Sequence, residues 1–226
     1  MVAAHGSRDP RSAATIRALC GELDAHVSFL DLSEPLLADV LRSLAAAGHS
    51  DAVVVPLLLG SAYHAKVDLP ALVRTAPLRV SVADVLGIDP VLEEVALDRL
   101  AEVGAEPDDP SLGVVLAGVG SSHAPANQAV IDLARRWNAR YAMRVAPAFA
   151  TARPDVAGAI AKLRARGARR FAVASWFLAP GLLPDRIGLR AREAAPAVVL
   201  TAPLAPDPRI AGLILRRYSQ TLPAAA

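Results

Sequence analysis

The chain has 226 residues, 54% hydrophobic and 20% charged, enough for a substantial core in one or two globular domains and unlike a disordered or fibrous chain. A net charge of +2 is too small to indicate nucleic acid as a partner, and no apolar run reaches the roughly 20 residues that span a bilayer. Cys20 is the only cysteine, which excludes an internal disulfide and a cysteine-built metal centre and fits a reducing cytoplasm, and the start at Met1-Val2-Ala3-Ala4-His5 does not read as a signal peptide.

The predicted elements alternate strand and helix. Val2–Ala4 reads as a very short strand. His5-Gly6-Ser7-Arg8-Asp9-Pro10 follows, and then a helix to about Leu23 with Asp9 as N-cap and Pro10 as its first residue. A second strand, Val27–Leu32, ends at Ser33-Glu34-Pro35, where the same grammar opens a helix to about Ala47 that Gly48 stops. Next comes the most apolar stretch, Val53 to Leu59. A continuous run of this kind, β-branched at its start, predicts a strand buried on both faces, as in a parallel sheet. It stops at Gly60-Ser61, and His64, Lys66 and Asp68 follow before a helix over about 69–74. A strand at Arg79–Val82, the turn Gly87-Ile88-Asp89-Pro90, a helix to about Val103 and a linker from Ala105 to Pro110 complete the first half.

The second half repeats it. Strand Leu112–Val119 leads to Gly120-Ser121-Ser122 and a helix, strand Tyr141–Ala146 to Ala152-Arg153-Pro154, and strand Phe171–Leu178 to the run from Ala179 to Leu183. Pro206-Asp207-Pro208 echoes Ile88-Asp89-Pro90. A period of about 115–120 residues means two copies of one domain. The expected architecture is α/β: two tandem domains, 1–106 and 107–226, each a parallel sheet flanked by helices. Right-handed crossovers put the strand-end loops of a copy on one side of its sheet.

Ligands of such sheets sit beyond the carboxyl ends of the strands. In the first copy His5, Glu34 and His64 follow strands one, two and three. Two imidazoles and a carboxylate form a credible site for a borderline divalent transition metal with coordination positions left open. Each residue also has a plain structural reading. His5 is a polar residue at a strand end, Glu34 a carboxylate in a helix first turn where the dipole favours it, and Asp68 a helix N-cap. Cys20 reads as a small core residue in mid-helix, and His26 and His49 flank helix ends in solvent. Ser121 and Ser122 lack the spacing of a nucleophile elbow and are explained by helix capping. His123 stands near the second copy's rim, with contact to substrate the less favoured of its readings. Neither G-x-G-x-x-G nor a P-loop lysine is present, so neither a dinucleotide nor ATP is indicated. Arg8, Lys66, Arg153 and Arg186 lie near the inferred rims, where they either bind carboxylates or are solvated surface charge.

The runs H-G-S-R-D-P at 5–10, S-E-P at 33–35 and L-L-L-G-x-x-x-H-x-x-x-D-x-P at 57–70 closely resemble the sirohydrochlorin chelatases. These are class II, ATP-independent chelatases that insert cobalt or ferrous iron into sirohydrochlorin for cobalamin or siroheme. The resemblance covers the whole chain as the long, internally duplicated form. It implies two chelatase-like (flavodoxin-like) domains with a cleft between them. It also implies a cytoplasmic lyase acting on a tetrapyrrole, without nucleic acid or membrane partners, as a monomer or homodimer. Co²⁺ or Fe²⁺ enters as substrate, and no nucleotide cofactor is used. The family's metal-binding and catalytic residues fall on His5, Glu34 and His64. Arg8, Lys66, Arg153 and Arg186 are the expected contacts to substrate carboxylates. The second copy has Val119, Ala152 or Arg153, and Leu182 or Leu183 at the corresponding places, which implies one active site. The competing expectation is a metal or tetrapyrrole carrier without turnover.

Overall fold

The computed structural model describes residues 1–21, 23–60 and 69–222, the side chains of 70 and 71 excepted. They fall into two units, Met1–Asp89 with Ala205–Ala226, and Pro90–Leu204. In the first, β1 (Val2–Ala4), β2 (Val27–Phe29), β3 (Asp51–Pro56) and β4 (Arg79–Val82) form a parallel sheet in the order β2-β1-β3-β4. The helices α1 (Pro10–Leu19), α2 (Leu37–Ala46) and α3 (Leu69–Arg74) belong to its crossovers. Every residue of β1 is buried, as its central place demands, with Val2 opposite both Val27 and Val55. Ala3, Leu37, Leu41, Val54 and Leu69 make the core, each large side chain contributing about 1.5–3 kcal/mol by leaving water.

The second unit repeats the plan. Its strands β5 (Leu112–Gly118), β6 (Arg144–Phe149), β7 (Arg170–Ser175) and β8 (Val199–Leu200) are parallel in the order β6-β5-β7-β8. With them lie α4 (Pro90–Glu102), α5 (Ala124–Arg140), α6 (Val156–Ala165) and α7 (Leu182–Ala194). Two parallel four-stranded sheets flanked by helices are the duplicated α/β fold expected from the sequence.

The two halves of the sequence exchange a helix between the compact units. Helix α4 leaves the first half and packs on β7, whereas α8 (Pro208–Thr221), the last helix of the second half, packs on β3 and α1. Asp89 ties α8 into the first unit. It is 8% exposed and accepts hydrogen bonds from Arg216 at 2.9 and 3.0 Å and from Arg217 at 3.0 Å. Arg217 also donates to the carbonyls of Val85 at 3.1 Å and Leu86 at 3.3 Å. Asp89→Ala therefore leaves two guanidinium groups without their carboxylate. The expected cost is about 1–3 kcal/mol, kept below that of a fully buried pair because Arg216 is partly exposed. Urea denaturation measures it, and a loss under about 0.5 kcal/mol, the range of ordinary surface substitutions, would show that apolar packing alone holds α8.

Several boundaries differ from the sequence reading for identifiable reasons. Helix α1 ends at Leu19, so Cys20 is its C-cap and not a mid-helix residue. Cys20 is buried, and burial pushes its thiol pKa up to about 11 against the opposing pull of the N-terminal charge. Strand β2 ends at Phe29, and α2 begins at Leu37, with Leu36 as an N-cap that makes no side-chain bond. Ser33-Glu34-Pro35 is thus a loop, and Glu34 is not in a helix first turn. The backbone there still serves the sheet, for Phe29 N–H donates to Pro35 O at 3.0 Å. Strand β6 starts at Arg144 because α5 runs through Arg140, and it includes Pro147, which an edge strand tolerates. Strands β3 and β7 end before their apolar runs do, at Pro56 and Ser175.

Candidate metal centre

The sheet ladder of the first unit continues into the loops beyond β1 and β2. Leu30 N–H donates to Ala4 O at 2.8 Å and Asp31 N–H to His5 O at 2.9 Å. Gly6 follows with φ +95°, and a Cβ there would lie 1.7 Å from Asp31 O, so only glycine allows this approach of the two loops. Ser7 and Ser33 close the next link in both directions. Ser7 N–H donates to Ser33 Oγ at 3.0 Å, and that hydroxyl donates to Ser7 O at 2.9 Å. The loop that carries His5 and the loop that carries Glu34 are therefore stitched side by side.

His5, Arg8 and Glu34 are all exposed at this sheet end. Asp9, by contrast, is buried and caps α1, accepting from Arg11 N–H at 3.0 Å, as the cap-and-proline pattern predicts. Hydrogen bonds from the Arg11 side chain, with its backbone N–H and charge, hold the Asp9 carboxyl below its ordinary range. An exposed imidazole and an exposed carboxylate on adjoining loops have the chemistry to take up a divalent ion and leave positions open to a further ligand. His64, Lys66 and Asp68 lie outside the described residues. Among the described residues no three His, Cys, Asp or Glu side chains gather into a metal-binding group, and His5 and Glu34 are the two members of the expected set that can be placed.

The second unit keeps the skeleton without these side chains. Ala150 N–H donates to Gly118 O at 3.0 Å and Thr151 N–H to Val119 O at 2.9 Å, so Val119 occupies the place of His5. Gly120, at φ +85°, repeats Gly6, with a Cβ there only 2.8 Å from that of Phe149. Phe149 N–H donates to Pro154 O at 2.9 Å as Phe29 does to Pro35. Pro154 thus matches Pro35, which puts Arg153 at the place of Glu34 and Ala152 at that of Ser33. Trp176 N–H donates to Ala117 O as Leu57 N–H does to Ala3 O, both at 2.8 Å, and counting on from that pair sets Leu183 against His64.

Arg153 and Arg186 are exposed at this end of the second unit. Arg153 pairs with Asp155, whose carboxylate also caps α6 by accepting from Gly158 N–H at 2.9 Å. Arg186 donates to Ala150 O at 2.8 Å. His123 is the exposed N-cap residue of α5, and its N–H donates to Ser121 Oγ at 3.0 Å. Ser121 exchanges two further bonds with Asn127, at 2.8 and 2.7 Å, and so organises the turn. His26 and His49 are exposed.

The part that two residues play in organising the site is not readable from their local sequence. Ser33 reads locally as a helix cap, and only the fold shows that its hydroxyl spans to Ser7. Arg17, in the last turn of α1, donates from Nη2 to Glu34 O at 2.7 Å, with its guanidinium 5.6 Å from the centre of the Phe29 ring.

No helix among the described residues is long and apolar enough to cross a membrane. The sirohydrochlorin ferrochelatase of Bacillus subtilis is 27% identical to this chain over 96% of it and 89% of the relative. The sirohydrochlorin cobaltochelatase of Priestia megaterium is 25% identical over 81% of this chain, which spans just 65% of that relative's length. Among solved structures, SirB from Bacillus subtilis with Fe3+ is similar in fold, with a TM-score of 0.75 at 24% identity over 97% of this chain and 93% of that one. The CbiX family model matches twice, at residues 1–103 and 113–221, once for each copy of the repeat. On that double match, which takes in nearly all of the sequence, the chain belongs to the CbiX family.

Proposed function

We propose that the chain is an ATP-independent sirohydrochlorin chelatase, a lyase that inserts Co²⁺ or Fe²⁺ into sirohydrochlorin for cobalamin or siroheme synthesis. It works in the cytoplasm as a monomer or homodimer. The observation that carries this reading is the stitching of the His5 and Glu34 loops in the one copy that retains both side chains, in a chain of the CbiX family. The names of the curated relatives supply the substrate class.

Metallation replaces two pyrrole N–H protons by one divalent ion, so the site must deliver a metal and accept two protons. Neutral imidazole does both near pH 7. In the proposed mechanism His5 and His64 hold the incoming ion, take up the pyrrole protons as the nitrogens bind metal, and pass them to water. Glu34 completes the ligand set or relays a proton. A set of two imidazoles and one carboxylate grips a borderline ion less firmly than thiolates would, which allows release to the macrocycle. Arg8, Lys66, Arg153 and Arg186 orient the substrate through charge-assisted bonds to its peripheral carboxylates.

The test is an anaerobic assay with purified sirohydrochlorin and Co²⁺ or Fe²⁺ in turn, followed by the tetrapyrrole absorption spectrum. Catalysed conversion to the metallated spectrum, well above the rate without protein, is expected with at least one ion, and the faster ion assigns the pathway. A spectrum that reports binding while metallation stays at the uncatalysed rate would make the protein a carrier instead.

A further inference from the structure

We infer that Arg17 is a positioning residue: it holds the loop that carries Glu34 in place beside the loop that carries His5. Its importance to metal uptake rests on the reading of Glu34 given above, but its grip on the loop does not. The loop leaves β2 at Phe29 and reaches α2 at Leu37. Within it Leu32 takes φ +61°, a left-handed conformation that a residue with a branched side chain disfavours, so the loop needs support from outside itself. On the β1 side that support is the Ser7–Ser33 pair. On the α1 side it is Arg17, which donates to the Glu34 backbone. The guanidinium reaches the Glu34 carbonyl at 2.7 Å while its central carbon lies over the ring of Phe29, 5.6 Å from the ring centre; Phe29 is the last residue of β2 and fully buried. One planar group thus bridges a fixed point of the sheet and the residue whose side chain faces solvent at the site. A lysine reproduces the charge but not the fork or the stacking.

The second unit supports this assignment by contrast. Counting from Gly6 and Gly120, the position of Arg17 falls on Ile131, which has no donor to offer the loop. The arginine that reaches a carbonyl at that sheet end is Arg186, on a different helix, and its acceptor is Ala150 and not Arg153. The α1 clamp and the acidic residue it holds occur together in one copy and are absent together from the other.

The test uses Arg17→Met, which keeps the aliphatic stem and removes the guanidinium, with Arg17→Lys, Glu34→Gln and the double variant Arg17→Met/Glu34→Gln. Two quantities are measured on the full chain: amide hydrogen exchange of residues 30–36, and Co²⁺ affinity without tetrapyrrole by equilibrium dialysis. Arg17→Met is expected to speed exchange in 30–36 about tenfold while α1 and α2 keep wild-type protection. Co²⁺ affinity should fall about three- to tenfold in Arg17→Met, less in Arg17→Lys, and no further when Arg17→Met is added to Glu34→Gln. Unchanged exchange in 30–36, or equal loosening of α1 and α2, overturns the inference. If the loop loosens while Glu34→Gln binds Co²⁺ like wild type, Arg17 still holds the loop and Glu34 leaves the ligand set.

Discussion

Alanine at His5 or at His64 is expected to slow metallation of sirohydrochlorin by at least about a hundredfold, the usual range for removing a group that moves a proton in the transition state. The loss falls on chemistry and not on folding in the case of His5. That side chain is exposed, and the tie between the two loops runs through its backbone, by the bond from Asp31 N–H to His5 O. A surface substitution of this kind changes stability by about 0.5 kcal/mol or less, so the thermal midpoint should stay near that of wild type. Glu34→Ala should be milder, since a carboxylate that completes a ligand set is replaceable by water at reduced metal affinity. Initial rates at saturating ion, paired with melting curves, separate the cases. A near-wild-type rate in either histidine variant removes that residue from the mechanism.

That the His5 and Glu34 loops lie at one end of the sheet was legible from the sequence because right-handed crossovers put the strand-end loops of a copy on one side. The cap-and-proline pairs Asp9-Pro10 and Asp207-Pro208 were legible too, since capping is chemistry between adjacent residues: each Asp accepts from the N–H two residues on. Ser33-Glu34-Pro35 has the same local grammar and a different outcome. Its serine is claimed by Ser7, 26 residues away, and no local rule contains that partner. Tyr141-Ala142-Met143 fails for the same kind of reason. The residues favour a strand, but Trp137 belongs to the buried face of α5 and carries that helix to Arg140. The apolar runs past Pro56 and Ser175 overstate their strands because burial continues beyond the ladder, as at Leu57 and Trp176. The exchange of α4 and α8 between the units was the least legible feature. It depends on α4 packing against β7 and α8 against β3, contacts between segments more than sixty residues apart in the sequence.

Reversing the charges at Arg153 and Arg186 to glutamate is expected to raise the Michaelis constant for sirohydrochlorin about ten- to a hundredfold, with Co²⁺ affinity unchanged and kcat altered by less than about threefold. One charge-assisted bond to a carboxylate is worth about 1.5–3 kcal/mol when shielded from water and less when exposed, as both arginines are. Two reversed charges facing an acidic substrate add repulsion to the lost bonds. The second copy has Val119 and Arg153 where the first has His5 and Glu34, so neither side chain offers a donor to the ion. Its sheet, its Asp155 cap and its Asp207-Pro208 helix start are nonetheless intact. Retained architecture with replaced ligands fits a role in holding substrate more closely than a second metal site. The variants should fold. Asp155 owes its lowered pKa first to the Gly158 N–H and only then to Arg153, so the α6 cap survives loss of the arginine. Arg186 donates to Ala150 O from an exposed position. If the double variant folds and its Michaelis constant is that of wild type, the arginines are solvated surface charge, and the second copy persists for the apolar surface its helices cover.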